Sequence, residues 1–540
     1  MEKLWIWAKN PDNWFWFVYA GLSLIVLFPL LAPGYILTLD LVFTPHVQWP
    51  HEAASAFPVQ VTVWGIGQLL PGDVVEKLVL FAILFCSGIS AHMLVVSFKR
   101  TIYTDTAWRL GAFVAGVFYM INPFTYSRFM AGQWMVLLGY ALFPFFVRML
   151  LELMEKASMK KALRLGVMAA VVMAASIHFS GMIVVTAAAA WLLADGKRQA
   201  AIRHLGVSLA TTIVLTCYWW IPALVGKSGL GAAVAGFNDV HFDAFRTTSH
   251  GAFGAIGEVL RLQGFWVEAR GFYLLPQDWV PLWGLLFMGF WSLVVVGAVK
   301  FWRIAPLLVK FCVISIVIGV ILAATPLIQW ASQYLPFAAG YREPHKFAAL
   351  VALGYAILAA FGAMAIAQKT KKEWQRTVVW GVLIVLPIIL TPTMLWGFGG
   401  QLQPRHYPIE WYEANELLKR EVTDNEKVLV LPWHQYSEYH FTQRIIANPA
   451  EVFFEVPTVV SDDPEFKQVS PTTPNDSKRK IEAALRNKSS LVDVLIQQNI
   501  HVVVLLKEQD FGDYAYLNDE RKLKKIQEND MLSIYRLEER

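Results

Sequence analysis

Two short stretches of this sequence gather side chains able to move a proton or hold an anion. Asp40 ends the apolar run Gly34-Tyr-Ile-Leu-Thr-Leu-Asp40, and His46 follows six residues later in Val42-Phe-Thr-Pro-His46. A carboxylate desolvated at the mouth of a helix bundle has a raised pKa and becomes a competent acceptor for a hydroxyl proton. Left in an exposed loop, the same residue is a solvated acid or a helix cap. The second stretch, Tyr341-Arg342-Glu343-Pro344-His345-Lys346, stands directly before an apolar run. Pro344 suits a first helical turn, so the stretch sets a helix N-terminus among Arg342, His345 and Lys346, with Glu343 between them. Free backbone N–H groups, the positive end of the helix dipole and fixed cations together make a phosphate site. The alternative is that Arg342 pairs with Glu343 while Lys346 reaches toward lipid headgroups.

Five further residues come into question. Arg128, in Asn122-Pro-Phe-Thr-Tyr-Ser-Arg128, is either a second phosphate contact or an interfacial anchor. His178 lies between two apolar runs and is either a polar contact in a cavity or a satisfied buried histidine. Asp239, His241 and Asp243 alternate with apolar residues but match no metal-binding spacing, and are read as a solvated loop. The chain has no Gly-Lys-Ser/Thr phosphate loop, no Gly-x-Gly-x-x-Gly opening a helix, no His-Glu-x-x-His and no nucleophile elbow. A nucleotide-driven pump, a zinc peptidase and a serine hydrolase are thereby disfavoured. No cofactor is evident, and need for a divalent metal is left open.

The elements that must position these residues are set by composition. Of 540 residues 56% are hydrophobic and 16% charged, with 46 Lys and Arg against 41 Asp and Glu. A soluble protein carries about a quarter charged residues, so the chain reads as a membrane protein, and its small charge excess gives no footing to nucleic-acid binding. A span needs about 20 mostly apolar residues. About eleven runs qualify: 14–32, 76–97, 108–121, 133–151, 162–177, 180–194, 202–224, 279–299, 304–325, 347–367 and 377–397. The first is expected to remain as an anchor, because Trp14, Phe15, Trp16 and Phe17 open it and no small-residue cleavage pattern follows.

One alternate set of connections carries the cations Lys3, Lys9, Lys99, Arg100, Lys156, Lys160, Lys161, Arg164, Lys197, Arg198, Arg203, Lys300, Arg303, Lys369, Lys371, Lys372 and Arg376, while residues 33–75 contain none. Cations collect on the cytoplasmic side, so the N-terminus is expected inside and the C-terminus outside. Residues 1–400 then form the membrane domain, with long outer loops 33–75 and 225–278, in which 53–70 and 252–264 are expected as amphipathic helices. Residues 401–540 are expected to form an external α/β domain. Its strands are read at Lys427–Pro432, His501–Leu506 and Met531–Leu537, its helices at 409–420 and 478–498, and a flexible connection at 461–477. The three cysteines, Cys86, Cys217 and Cys312, sit in apolar runs and suggest no disulfide framework.

With about eleven spans, an acid shortly after the first of them, two long outer loops and an external α/β domain, the chain resembles the GT-C class of polytopic glycosyltransferases. The Tyr341–Lys346 stretch is similar to an outer-loop segment of the arabinofuranosyltransferase-like branch. The resemblance implies an α-helical polytopic membrane protein of the plasma membrane that takes a sugar from a polyprenyl-phosphate donor to a glycan, lipid or protein acceptor, with inversion. Asp40 would be the base, and Arg342, Lys346, His345, Glu343, Arg128, His46 and His178 would line the substrate site. Asp40 is followed by Leu41 rather than the second acid of some members. A lipid or glycan transporter, or a non-enzymatic cell-envelope assembly protein, would fit the same composition without a base. The charge bias makes one direct prediction: a reporter fused after residue 540 should be external and one inserted near Lys371 cytoplasmic, and an internal C-terminus would overturn the orientation.

Overall fold

The computed structural model describes residues 13–50, 54–99, 103–194, 198–225, 239–249, 253–335, 337–370, 372–423, 425–462, 475–487 and 491–538. Lys3, Lys9, Arg100, Lys197, Lys371, residues 226–238 of the second long loop and 463–474 of the flexible connection lie outside the described residues.

Each of the eleven apolar runs forms helix. Among the described residues seven helices are long and apolar enough to cross a membrane, including Gly72–Ser97, Trp134–Glu155, Pro306–Ala324 and Pro344–Ala367. The 202–224 run is two helices, Arg198–Leu215 and Cys217–Leu224, bent by 73°, which make an eighth span if counted together. The runs 108–121, 162–177 and 180–194 become Asp105–Met120, Met159–Ala175 and Phe179–Leu192, of 16, 17 and 14 residues. These fall short of the roughly 20 residues of a full crossing, so length and composition alone carry seven or eight spans of the eleven expected.

At the centre runs Ala348–Ala367, whose Ala-rich surface is buried on nearly every side. Trp283–Phe301, Asp105–Met120 and Pro306–Ala324 pack around it. Small residues set how close they come. A Cβ on Gly297 would fall 1.8 Å from the Leu358 carbonyl oxygen, and one on Gly362 would fall 2.0 Å from that of Leu293. Backbones in that contact are the usual means by which helices associate where lipid offers no hydrophobic drive. The first long loop includes the helix Phe57–Gly67, and the second includes Gly254–Leu260.

The C-terminal region is an α/β unit. Its strands are β1 (Lys427–Leu431), β2 (Tyr436–Tyr439), β3 (Arg444–Ala447), β4 (Thr458–Val459), β5 (Ile500–Leu506), β6 (Leu523–Glu528) and β7 (Leu532–Leu537). Five form one sheet in the order β4-β1-β5-β7-β6, with β4, β1 and β5 parallel and β7 and β6 antiparallel, while β2 and β3 make a separate hairpin. Alternation along the central strands buries both faces. Leu429, Leu431, Val503 and Leu505 face the helices of residues 476–497. Val428, Val430, Val502 and Val504 share a core with Leu37, Leu39, Leu41 and Tyr407. The first long loop is therefore part of the core of the C-terminal unit. Leu39 pairs in parallel with β3, donating its N–H to Ile445 O at 3.1 Å and accepting from Ala447 N at 2.9 Å. It does so at φ +41°, an uncommon conformation for leucine that turns the chain sharply into Asp40.

Gly132 (φ +71°) faces that turn, and a Cβ there would lie 2.2 Å from Leu41 N and 2.4 Å from Thr38 O. Gly132→Ala should therefore destabilise the purified protein by at least the roughly 1–2 kcal/mol cost of a left-handed alanine. Gly21→Ala, where nothing lies within 4 Å, should leave stability unchanged or raised. Thermal melts in detergent check both, and equal melting temperatures for the two variants would show that the loop yields.

Candidate functional site

The site is built where the first loop, a buried short helix, the mouth of the central helix and the β2-β3 hairpin converge. The short helix, Pro123–Met130, follows from its own sequence. Asn122 accepts from Thr125 N, Thr125 accepts from Asn122 N, and Pro123 supplies the first turn, completing a capping box. Its last turn delivers Arg128, which is fully buried. At the central helix, Pro344–Phe347 forms a tight 3₁₀ turn that runs into Ala348–Ala367. That turn places His345 and Lys346 beside Arg128.

Glu343 is the hub. It pairs with Arg128, receives Lys346 Nζ at 3.1 Å, and is approached by Gln133 Nε2 at 3.4 Å. Burial by itself would raise the Glu343 pKa, but the Arg128 and Lys346 charges outweigh it and hold the carboxyl well below its usual range. Arg128 also donates to Gln133 Oε1 at 2.6 Å and to His345 Nδ1 at 2.9 Å, and its guanidinium lies 3.8 Å from the Phe265 ring centroid. Phe265 is held there by Glu268, which accepts from Ser127 Oγ at 2.6 Å and Gly264 N at 2.7 Å, and whose pKa is pushed up to about 7, chiefly by burial.

These contacts assign both histidines. An arginine can only donate, so His345 Nδ1 accepts and its Nε2–H donates to Gln263 O at 2.9 Å. Lys346 Nζ likewise donates to His178 Nε2 at 2.9 Å. Both rings are neutral in this arrangement. For His178, burial and then the Lys346 charge push the pKa well below the usual value.

Asp40 stands at the open side. It is exposed, yet crowded by protein around a recess, and that desolvation raises its pKa against the opposing pull of the Tyr436 hydrogen bond. Tyr436 O–H donates to Asp40 Oδ1 at 2.6 Å, Gln133 is a further donor, and Asp40 N–H is tied to Ala131 O at 3.2 Å. Arg342 is half-buried over the Phe245 ring at 5.0 Å, with Tyr436 close enough to feel its charge.

Seven of the eight residues singled out in the sequence thus meet: Asp40, Arg128, His178, Arg342, Glu343, His345 and Lys346. His46 does not, being exposed and 3.7 Å from Glu455. Of the two readings of the Tyr341–Lys346 stretch, the one that pairs Arg342 with Glu343 and sends Lys346 toward lipid headgroups needs revision. Glu343 pairs with Arg128 and Lys346, and Lys346 is buried rather than reaching toward lipid headgroups. Asp239, His241 and Asp243 lie on a short helix, Asp239–Phe245, rather than a loop, and His241 is buried. Among the described residues no group of three or more His, Cys, Asp or Glu side chains could hold a metal ion. Sequence reasoning missed Gln133 and Tyr436. Gln133 carries a local signal, as the polar residue that opens the apolar run 133–151 five residues after Arg128, whereas Tyr436 is 396 residues from Asp40 and carries none.

Comparison with solved structures supports the fold. Cryo-EM structures of the arabinofuranosyltransferase AftD from mycobacteria align over 98% of this chain at 16% identity with a TM-score of 0.65, and, for a point mutant in one class, over 97% at 16% identity with a TM-score of 0.63. The chain spans 40% of the length of the first of these structures and 41% of the second. No curated protein sequence matches it significantly. Residues 56–528 match the family described as alpha-(1->3)-arabinofuranosyltransferase, N-terminal GT-C domain, and with most of its length so matched the chain belongs to that family of glycosyltransferases.

Proposed function

We propose that this protein transfers a sugar, an arabinofuranose by analogy with its family, from a polyprenyl-phosphate donor to a hydroxyl of a glycan, lipid or protein acceptor at the outer face of the plasma membrane. Asp40 is the base and the configuration is inverted. The observation that carries this reading is charge balance around Asp40. Three cations, Arg128, Arg342 and Lys346, face two carboxylates, Glu343 and Asp40, with His178 and His345 neutral. Among these named side chains, with Glu268 set apart behind Ser127 and its pKa pushed up to about 7 by burial, the surplus is one positive charge, which the single negative charge of a polyprenyl-phosphate sugar, a phosphodiester, would neutralise.

In the reaction the acceptor hydroxyl gives its proton to Asp40 while its oxygen bonds to the anomeric carbon. The carbon–oxygen bond to phosphate breaks, and the electron pair leaves on the phosphate oxygen. The leaving lipid phosphate gains one negative charge as Asp40 loses its own. The protein surplus rises from one to two in step with the leaving group, so no net charge is stranded in a desolvated site. Arg342, the most accessible of the three cations, is the direct phosphate contact. Arg128 and Lys346, held by Glu343, supply field from behind. Attack from the face opposite the phosphate inverts the anomeric carbon. Tyr436 positions Asp40 through the 2.6 Å hydrogen bond.

Three outcomes test the assignment. Asp40→Asn should fold and bind donor but lose turnover by about a hundredfold or more; full turnover would move the base elsewhere. Arg342→Ala should weaken donor binding by about 1.5–3 kcal/mol, the range for charged hydrogen bonds, with the melting temperature in nanodiscs held, whereas unchanged affinity would remove Arg342 from the phosphate site. The active form of Asp40 is the ionised one, so kcat/KM should fall as pH drops through its raised pKa. Tyr436→Phe deletes a hydrogen bond that lowers that pKa, and should move the acid limb of the profile to higher pH. A limb that stays in place or moves to lower pH would show that Tyr436 does not set Asp40.

A further inference from the structure

The C-terminal unit carries a second crevice that the proposed chemistry does not use. The parallel strands β4, β1 and β5 lie side by side, and the chain passes from β1 to β4 on one flank and then to β5 on the other. Loops leaving the carboxyl ends of such strands diverge at the point of reversal and open a cleft. Here Ser461 follows β4, Trp433 and His434 follow β1, and Asp510 follows β5, and together they border a cavity of about 360 Å³.

Its walls have a particular chemistry. Trp433, Tyr514 and Tyr516 contribute rings, the two tyrosines with centroids 6.5 Å apart and planes at 32°. Tyr514 Oη accepts from Trp433 N at 3.1 Å, which ties one wall to the other. Between the rings stand carboxylates. Asp510 is 2.9 Å from His434 Nε2, Glu482 is 2.5 Å from Arg486, and Asp513 is exposed with no ion pair among the described residues. Three carboxylates against one guanidinium repel a phosphate or nucleotide, and so many polar atoms reject a wholly apolar ligand. Flat ring faces for C–H groups, with acceptors and a guanidinium donor at their edges for hydroxyls, fit an uncharged polyhydroxylated ligand.

The crevice is also joined to the first site. Trp433 on its wall and Tyr436 on Asp40 belong to one segment, and three residues of chain span at most about 11 Å. We propose that this crevice binds a saccharide chain, and that this chain is the acceptor, whose growing end is thereby led to Asp40. The identity of that saccharide as acceptor rests on the transferase reading, but its binding does not.

The test uses the full chain in nanodiscs and, as probe, a synthetic linear oligosaccharide of α-linked arabinofuranose, with binding followed by saturation-transfer NMR and calorimetry. Trp433→Ala and the near-isosteric surface change Asp513→Asn should each weaken binding by about tenfold, the equivalent of one charged hydrogen bond, while Asp40→Asn should bind as the wild type does. Wild-type protein that fails to bind the probe, or binding undiminished in both crevice variants, would overturn the proposal. Binding through the crevice in a chain that transfers no sugar would leave the crevice standing and remove the transferase reading.

Discussion

A single buried carboxylate, Glu343, holds the site together. Two cations from distant parts of the chain close on it, Arg128 across 215 residues and Lys346 three residues ahead. A charge removed from water costs several kcal/mol unless it is paired and hydrogen-bonded, and deleting one partner of such a cluster strands the others. The three groups therefore stand or fall as a unit. Because Arg128 sits on the capped helix Pro123–Met130 and Lys346 on the turn before the central helix, their shared carboxylate also fixes those two elements against each other. Gln133, bridging Arg128 to Glu343, carries the same constraint to the edge of the Asp40 recess.

The arrangement separates two duties that cationic side chains share poorly. A cation held rigidly by a carboxylate orients well but has spent part of its field on its partner. One left accessible binds an anion directly but wanders. Arg128 and Lys346 are held in the first way by Glu343, whereas Arg342 is only half-buried and lies over the Phe245 ring.

Much of this was legible in the sequence, and its gaps have physical causes. The apolar runs located the long helices of the bundle, because long apolar stretches have few other uses, but not the short buried helix Pro123–Met130. Their lengths were less legible, since Asp105–Met120, Met159–Ala175 and Phe179–Leu192 stop short of a full crossing. The Tyr341–Lys346 stretch stood out by charge in a cation-poor region. What it did not disclose was that Lys346 belongs to Glu343, because that pairing is decided by Arg128 and by burial. In the C-terminal unit β1, β5 and β7 were visible as β-branched blocks. The hairpin β2-β3 was not, since Tyr436–Tyr439 and Arg444–Ala447 are short and mixed in polarity, and it is this hairpin that brings Tyr436 to Asp40.

The pairing of Leu39 with β3 has a consequence for how the protein comes into being. Asp40 emerges early in synthesis, yet Ile445, which anchors the backbone of its neighbour Leu39, and its own hydrogen-bond partner Tyr436 are made some four hundred residues later. Until the C-terminal unit has folded and docked, the left-handed turn at Leu39 has its contacts to Met130 and Ala131 but lacks its two hydrogen bonds to β3, and the sheet face that shares its core stays uncovered. The surroundings of Asp40 are thus completed only when the β2-β3 hairpin is in place. A nascent chain already threaded into the bilayer therefore lacks the hairpin that brings Tyr436 to Asp40.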